Sequence, residues 1–191
     1  MGFIMARENR TKYVILGVLS TESMSGYEIK QTVNHDLGFF WFESDGQIYP
    51  TLKFLLKNGL IILDATVNNT SKRDKKIYSI SETGKKELKE WLSKHEESFH
   101  VRNEFLLKIF YGYNSDNETN LSRIYNQKFR LKQKLDILES LKKNILAKKE
   151  TYTLVKPEFF WLITIDYGII SIKALIEWCE NTINLIKKTK V

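Results

Sequence analysis

Apolar residues recur every three or four positions through most of the second half of the chain. One such series runs over residues 121–149, with lysine-rich positions between its members, and another runs over residues 158–188. This period matches the 3.6 residues of a helical turn and predicts two long helices. In the second helix the apolar positions alternate three and four apart, which is the spacing of a helix-packing seam. The seam residues are Ile165, Ile169, Ile172, Ile176, Cys179, Ile183 and Ile186.

More apolar surface lies off this seam than one helical hairpin covers easily. The off-seam residues are Phe160, Trp161, Tyr167, Leu175 and Trp178. Unpartnered apolar surface favours association, and a second copy of the same chain is the simplest partner. We predict a homodimer whose interface is formed by Ile165, Ile169, Ile172, Ile176, Cys179 and Ile183. The alternative is that a short helix predicted over 100–114 and the N-terminal half cover this surface. Three of the aromatic residues, Trp161, Tyr167 and Trp178, are also candidates to line a ligand pocket.

The first half of the chain has shorter elements. Helices are predicted over residues 11–20, about 26–36, 44–57 and 81–97, and strands over 60–67 and 77–81. The two strands flank a polar, charged loop and so predict a β-hairpin. The fold class is therefore mainly α with a small β-hairpin (α+β). The short elements give way to long helices near residue 97, which predicts two domains, 1–97 and 98–191.

Local signals set several of these boundaries. Ser25 and Glu28 have the spacing of a capping box, which satisfies backbone N–H groups at the start of a helix. Asn58-Gly59 is a helix stop. Pro50 is tolerated only in a first helical turn, so we expect its helix to begin late or to have an irregular first turn.

Three helices followed by a hairpin make the winged form of the helix-turn-helix. In this fold the third helix enters the DNA major groove, and a basic hairpin loop reaches neighbouring phosphates or the minor groove. The loop here reads SKRDKK over 71–76, with four positive charges and one negative charge. At the start of the second helix, Ser25 and the N–H groups after it are predicted to form a phosphate-binding site, or phosphate seat. Gly26 is predicted to let the backbone approach DNA closely, and Tyr27 to form a hydrogen bond with a phosphate. The predicted DNA-binding residues are Ser25, Gly26, Tyr27, Gln47, Tyr49, Thr51, Lys53, Lys57, Lys72, Arg73, Lys75 and Lys76.

The residues in these blocks resemble the PadR family of transcriptional regulators. The matching segments are YVILGVLS (13–20), SGYEI (25–29), GQIYPTLK (46–53), NGL (58–60) and YSISETG (78–84), and in the second half RNEFLLK (102–108), Trp161, DYG (166–168) and WCE (178–180). The resemblance implies a dimer joined through C-terminal helices. It also implies binding to a two-fold DNA site, and repression that a small ligand such as a phenolic acid relieves in some members. Tyr27, Gln47, Tyr49, Lys53 and the basic wing fall on positions that face DNA in the family. Phe54 departs from the charged residue that is frequent there, and we do not place it at DNA.

Net charge adds little to this prediction. The 191 residues include 30 Lys plus Arg and 23 Asp plus Glu, a formal charge of +7. Residues 1–97, however, hold 14 basic and 13 acidic residues, so most of the excess lies in the helical half. The local charge of the wing and of the third helix therefore carries the DNA-binding hypothesis.

Motifs of other protein classes are missing from the sequence. A single cysteine excludes an internal disulfide and a cysteine-based zinc site. The three histidines are too scattered for a metal triad, and the sequence has no Gly-rich phosphate loop, GxSxG or HExxH motif. We expect no enzyme activity, no cofactor and no metal. The most apolar run, residues 159–172, contains Asp166 and is shorter than the roughly 20 residues of a membrane-spanning helix. We therefore expect a soluble cytoplasmic protein.

Two other functions fit the same sequence. A winged helix can serve as a ligand-sensing or protein-docking module without binding DNA. The lysine-rich long helices also fit a structural protein or one that binds a membrane surface. A positive patch around Tyr49 and Lys53 would favour DNA binding over docking, whereas liposome sedimentation of the C-terminal half would separate DNA binding from the membrane-surface function.

Overall fold

The computed structural model describes residues 10–41, 43–64, 76–95, 102–147 and 156–189. The chain divides into two compact units, residues 1–97 and 98–191. The first contains α1 (Thr11–Leu19), β1 (Met24–Ser25), α2 (Gly26–Thr32), a π-helical turn (Val33–Leu37), α3 (Asp45–Lys57), β2 (Ile61–Leu63), β3 (Ile77–Ile80) and α4 (Glu82–Leu92). The second contains α5 (Glu104–Phe110), a 3₁₀ turn (Gly112–Asn114), α6 (Asn117–Ala147) and α7 (Pro157–Lys188). The predicted fold class, mainly α with a small sheet, is confirmed.

The sheet of the first unit has three antiparallel strands in the order β1-β3-β2. In the predicted hairpin, Ile61 lies opposite Ile80 and Leu63 lies opposite Tyr78. The sequence did not predict β1, which pairs Met24 with Tyr78 on the other edge of β3. Two residues are too few to show the alternation that identifies a strand.

The core of the first unit lies between its helices and this sheet. Its buried residues are Tyr13, Ile15, Leu16, Val18, Leu19, Ile29, Val33, Ile48, Leu52, Leu55 and Ile61. Helix α4 packs on it through Leu88 and Trp91, and the Trp91 ring stacks on Tyr13 with 4.4 Å between ring centroids. Leu92, the next residue, is 68% exposed. One residue beyond Trp91 turns the helix by about 100°, which is enough to carry a side chain off the core face.

Helix ends in the first unit follow the predicted local signals. The Ser25–Glu28 capping box forms, and the Ser81 side chain accepts a hydrogen bond from the backbone N–H of Gly84. Gly59 follows α3 with a φ of 67°, the left-handed conformation that glycine adopts without steric cost. The predicted late start of α3 is wrong, because the helix begins at Asp45 and runs through Pro50. The Pro50 ring is exposed, so the Gly46 carbonyl that it cannot bond lies toward solvent.

In the second unit, α6 and α7 form an antiparallel hairpin. Three ion pairs cross between the helices: Lys128–Glu180 at 2.7 Å, Glu139–Lys173 at 2.9 Å and Lys142–Asp166 at 2.5 Å. The buried residues along the hairpin are Ile124, Leu131 and Leu138 on α6 and Ile165, Ile169, Ile172, Cys179 and Ile183 on α7. Helix α5 is shorter than predicted, because residues 112–114 form a separate 3₁₀ turn.

This burial corrects the predicted dimer interface. Of the six predicted interface residues, Ile165, Ile169, Ile172, Cys179 and Ile183 are buried within a single chain, and Ile176 is half-buried. A seam that packs against α6 does not present these side chains to another copy. Burial also raises the pKa of the Cys179 thiol, which keeps the less reactive protonated form.

Helix α7 is long and apolar enough to cross a membrane by length and composition, with 22% of its most apolar window buried. The sequence-based prediction rested only on the apolar run over residues 159–172, which is too short to span a membrane, and not on the whole helix. Core helices of soluble proteins can have the same length and composition. In this structure α7 packs against α6 through its buried seam and through the Lys142–Asp166 ion pair, as one helix of a hairpin.

Candidate nucleic-acid interface

Helix α3 has two faces of opposite character. Ile48, Leu52 and Leu55 are buried in the core of the first unit. On the other side of the helix, Lys53 and Lys57 stand one turn apart, and both are exposed. At about 100° per residue, Tyr49 lies on the same exposed side as Lys53. This side of α3 is the surface that a DNA groove would meet, and we call Tyr49, Lys53 and Lys57 the exposed face of α3.

Tyr49 is held in place by α2. Its side chain is 47% exposed, yet one ring edge packs on Gly26. A Cβ atom at Gly26 would lie 3.0 Å from Tyr49 Cε1. The predicted role of Gly26, a close approach of its backbone to DNA, is therefore corrected: the residue is buried, and its missing side chain makes room for Tyr49.

Ser25 also serves the protein's own fold. Its side chain accepts a hydrogen bond from the Glu28 N–H, while its backbone N–H and its hydroxyl both donate to Glu28 Oε2, at 2.9 and 2.7 Å. Ser25 is buried, and the Glu28 carboxylate occupies the start of α2. This carboxylate engages the Ser25 N–H and hydroxyl and repels an anion placed beside it. The predicted contact of Ser25 with phosphate therefore competes with the capping box.

Thr51 is the third predicted DNA-binding residue that the fold buries, with 4% of its surface exposed. It follows Ile48 by three positions, and residues at that spacing lie on neighbouring parts of one helix surface. Gln47 is exposed, but it is two positions before Tyr49, so the two side chains point to different sides of α3. Gln47 therefore flanks the exposed face of α3, on the side that also carries the half-exposed Phe54.

Two further predicted residues are exposed in the first unit. Tyr27, on α2, is 63% exposed, and its hydroxyl accepts a hydrogen bond from Gln31 Nε2 at 2.9 Å. Lys76 is exposed at the start of β3. The other predicted wing residues, Lys72, Arg73 and Lys75, lie outside the described residues.

The three aromatic residues predicted to line a ligand pocket are partly exposed on α7. Trp161, Tyr167 and Trp178 are 42%, 70% and 36% exposed, and Trp178 packs edge-to-face with Phe105. A cavity of about 570 Å³ lies elsewhere in the second unit. It is lined by Ile109, Gly112, Tyr113, Ser115, Asp116, Asn117, Asn120 and Ile186. No motif in the sequence marks these residues, because they converge only when α5, the 3₁₀ turn, α6 and α7 meet.

Two polar side chains of this cavity, those of Asn120 and Asp116, form hydrogen bonds within the second unit. Asn120 donates a hydrogen bond to the Gly112 carbonyl at 2.9 Å. Asp116 accepts hydrogen bonds from the Thr119 N–H and hydroxyl, and these bonds lower the pKa of its carboxyl. Within the described residues, no group of three His, Cys, Asp or Glu side chains could hold a metal ion.

Comparison with known proteins identifies the family. The model of the "Transcriptional regulator PadR-like family" matches residues 15–90, and that of "Virulence activator alpha C-term" matches residues 101–187. The "Negative transcriptional regulator PadR" of Bacillus subtilis is 31% identical over 179 residues, which cover 93% of this chain and 97% of that protein. This chain belongs to the PadR-like family of transcriptional regulators. The family consists of regulators and not enzymes, so the prediction of a non-enzymatic protein is confirmed.

Solved PadR structures have the same fold over nearly the whole chain. B. subtilis PadR in complex with operator DNA superposes with a TM-score of 0.80 at 29% identity, covering 92% of this chain and 98% of that one. B. subtilis PadR in complex with p-coumaric acid superposes with a TM-score of 0.76 at 27% identity, covering 97% of this chain and all of that one. The predicted resemblance to PadR is confirmed.

Proposed function

We propose that this PadR-like regulator is a sequence-specific DNA-binding repressor that acts as a homodimer on a two-fold operator. The observation that carries the proposal is the exposed face of α3, where Tyr49, Lys53 and Lys57 stand opposite three buried core residues. The structure of PadR with operator DNA and the description of PadR as a negative regulator support it. This function places the protein in the cytoplasm with the chromosome.

The exposed residues divide into two roles in this proposal. Helix α3 lies in the major groove, where Tyr49, Lys53 and Lys57 contact base edges or the adjacent phosphates. Tyr27 donates its hydroxyl proton to a phosphate, and Lys76 with the wing residues Lys72, Arg73 and Lys75 neutralises the flanking backbone. Gln47, beside the exposed face of α3, contacts DNA at the edge of the binding site.

Selection of duplexes from a random DNA library with the purified protein tests DNA binding. We expect enrichment of a two-fold motif, and we expect Lys53→Ala to weaken binding to it by about 5- to 150-fold, the equivalent of about 1–3 kcal/mol for a base contact. The control is Lys86→Ala, which removes an exposed lysine from α4. Failure to enrich any motif, or equal losses from Lys53→Ala and Lys86→Ala, would contradict the proposal and favour a docking function.

For the homodimer we propose the outer face of α7, in place of its buried seam. Phe160, Ile163, Tyr167 and Ile170 recur three and four apart, and each is at least 52% exposed. At about 100° per residue they lie on the side of α7 opposite the seam. Exposed apolar surface of this extent is typical of a protein interface.

Sedimentation at micromolar concentration tests the dimer. Wild-type protein is expected at twice 22.5 kDa. The Tyr167→Glu, Ile170→Glu double variant is expected to be monomeric, because it places two carboxylates in the interface. Lys86→Glu, which adds a carboxylate to α4, serves as the control and should leave the dimer intact. A wild-type monomer, or a dimer that tolerates the double variant, would refute this interface.

We further propose that a small aromatic ligand relieves repression. The structure of PadR with p-coumaric acid supports this, and the cavity in the second unit has a volume in the range of small-molecule sites. We expect p-coumaric acid to release the protein from its selected DNA. Ile186→Trp, which fills the cavity, should abolish that response and leave DNA binding intact. Release of Ile186→Trp by the same ligand concentration would exclude this cavity.

A further inference from the structure

Glu43 is a buried carboxylate just before the DNA-facing helix. It is 5% exposed, and the other buried polar residues of the described chain are Thr11, Ser25 and Thr51. Glu43 Oε1 accepts a hydrogen bond from Thr11 Oγ1 at 2.9 Å and another from Trp41 Nε1 at 2.7 Å. Thr11 is the first residue of α1, so this network connects the start of α1 to the segment that leads into α3.

Burial of a carboxylate is costly unless hydrogen bonds compensate for the lost water. An apolar side chain of similar size would fill the same space without that cost. The two hydrogen bonds to Glu43 therefore indicate a geometric role, in which the carboxylate holds two elements at a fixed separation.

The start of α3 depends on such a connection. Its N-cap residue, Ser44, makes no side-chain capping hydrogen bond, and the Gln47 N–H donates to the Ser44 carbonyl at 2.9 Å. On the other side of the segment, the Trp41 N–H donates to the Leu37 carbonyl at 2.8 Å. Among the described residues between Leu37 and α3, Glu43 is joined to another helix by the hydrogen bond that Thr11 Oγ1 donates.

We propose that Glu43 is a positioning residue for DNA recognition. It fixes the start of α3 against α1 and so aims Tyr49 and Lys53 at the groove without contacting DNA itself. This inference rests on the proposed DNA-binding function.

Two variants of Glu43 separate this role from simple core packing. Glu43→Gln keeps a carbonyl oxygen that accepts both hydrogen bonds, whereas Glu43→Leu fills the space and accepts neither. Thr11→Val breaks the α1 arm of the network with little change of shape. Glu90→Leu removes a carboxylate from an exposed position on α4 and serves as the control for charge.

The binding measurement uses fluorescence anisotropy with the duplex that the wild-type protein selects. We expect Glu43→Leu and Thr11→Val to weaken binding by about tenfold or more. The first leaves the Thr11 and Trp41 donors without their acceptor, and the second leaves the buried Glu43 carboxylate without one of its two donors. Glu43→Gln and Glu90→Leu should bind within about twofold of wild type. Wild-type affinity in Glu43→Leu would overturn the proposal.

Hydrogen exchange of the DNA-free protein supplies an independent readout. We expect faster exchange of the Trp41 indole N–H and of the first turn of α3 in Glu43→Leu, with wild-type rates restored in Glu43→Gln. Unchanged exchange in α3 would refute the positioning role even if DNA binding fell. If the wild-type protein selects no DNA, the proposed function fails, while hydrogen exchange still decides whether Glu43 positions α3.

Discussion

Gly84 lies where α4 touches the backbone that precedes β2. A Cβ atom at this position would overlap the Leu60 carbonyl oxygen and would lie 3.0 Å from Ile80 Cγ1. The same carbonyl accepts a hydrogen bond from the Ser81 N–H at 3.1 Å. Because a backbone oxygen cannot rotate away as a side chain can, Gly84→Ala must displace α4 or the Leu60 peptide.

The size of the effect follows from two opposing contributions. Alanine stabilises a helix by about 1 kcal/mol relative to glycine. Against this, forcing a methyl group into a filled space costs about 1–3 kcal/mol or more. Displacing α4 also weakens the Ser81 bonds to Leu60 and to the Gly59 carbonyl, each worth about 0.5–1.5 kcal/mol. We expect Gly84→Ala to lower the free energy of unfolding by about 2 kcal/mol.

Urea unfolding followed by circular dichroism measures this change. Gly17→Ala is the matched control, because Gly17 also lies within a helix of the first unit and a Cβ atom added there would meet nothing within 4 Å. That variant should stabilise the protein by about 0.4–1 kcal/mol. If both variants shifted the free energy of unfolding in the same direction, the close approach of α4 to Leu60 would be wrong.

Three further predictions concern caps, charges and packing. Ser25→Ala removes the capping box and should cost about 1 kcal/mol in urea unfolding. The hydrogen bond from Lys12 holds the pKa of the Glu87 carboxyl below its ordinary value of 4.5, so the pair stabilises the fold above that pH. The free energy of unfolding should fall as the pH drops through the lowered pKa, and Glu87→Gln should make its pH dependence flatter below pH 4.5. An equally steep pH dependence in Glu87→Gln would show that the ion pair does not stabilise the fold. Leu138→Ala empties a fully buried position between α6 and α7 and should cost about 2–5 kcal/mol, whereas a loss below 1 kcal/mol would contradict that packing.

Local signals in the sequence were sufficient for much of the fold. The Ser25–Glu28 capping box and the Gly59 stop each depend on residues within a few positions of one another, and each forms as predicted. The apolar residues of α6 and α7 also recur at helical spacing over about 30 positions each, which was enough to predict both helices. Pro50 misled the boundary of α3, since one missing hydrogen bond at an exposed position does not outweigh three buried apolar residues on the opposite face.

The candidate site was only partly predictable. The sequence identified Tyr49, Lys53 and Lys57, which are exposed. It also proposed residues that the fold buries, namely Ser25, Gly26 and Thr51. Residue type shows that a hydroxyl can bind phosphate, but it does not show whether a neighbouring carboxylate already uses that hydroxyl.

The sequence by itself therefore determined the order of the helices and of the β2–β3 hairpin, the apolar face of each long helix and the family to which the chain belongs. Only the tertiary structure decided what covers each face, because a stripe of isoleucines packs equally well on a partner or on the chain's own α6. Folding buried the seam of α7 and left Phe160, Tyr167 and Ile170 outside. It also brought Glu43 to Thr11 across 32 positions of sequence, a contact that no local pattern encodes.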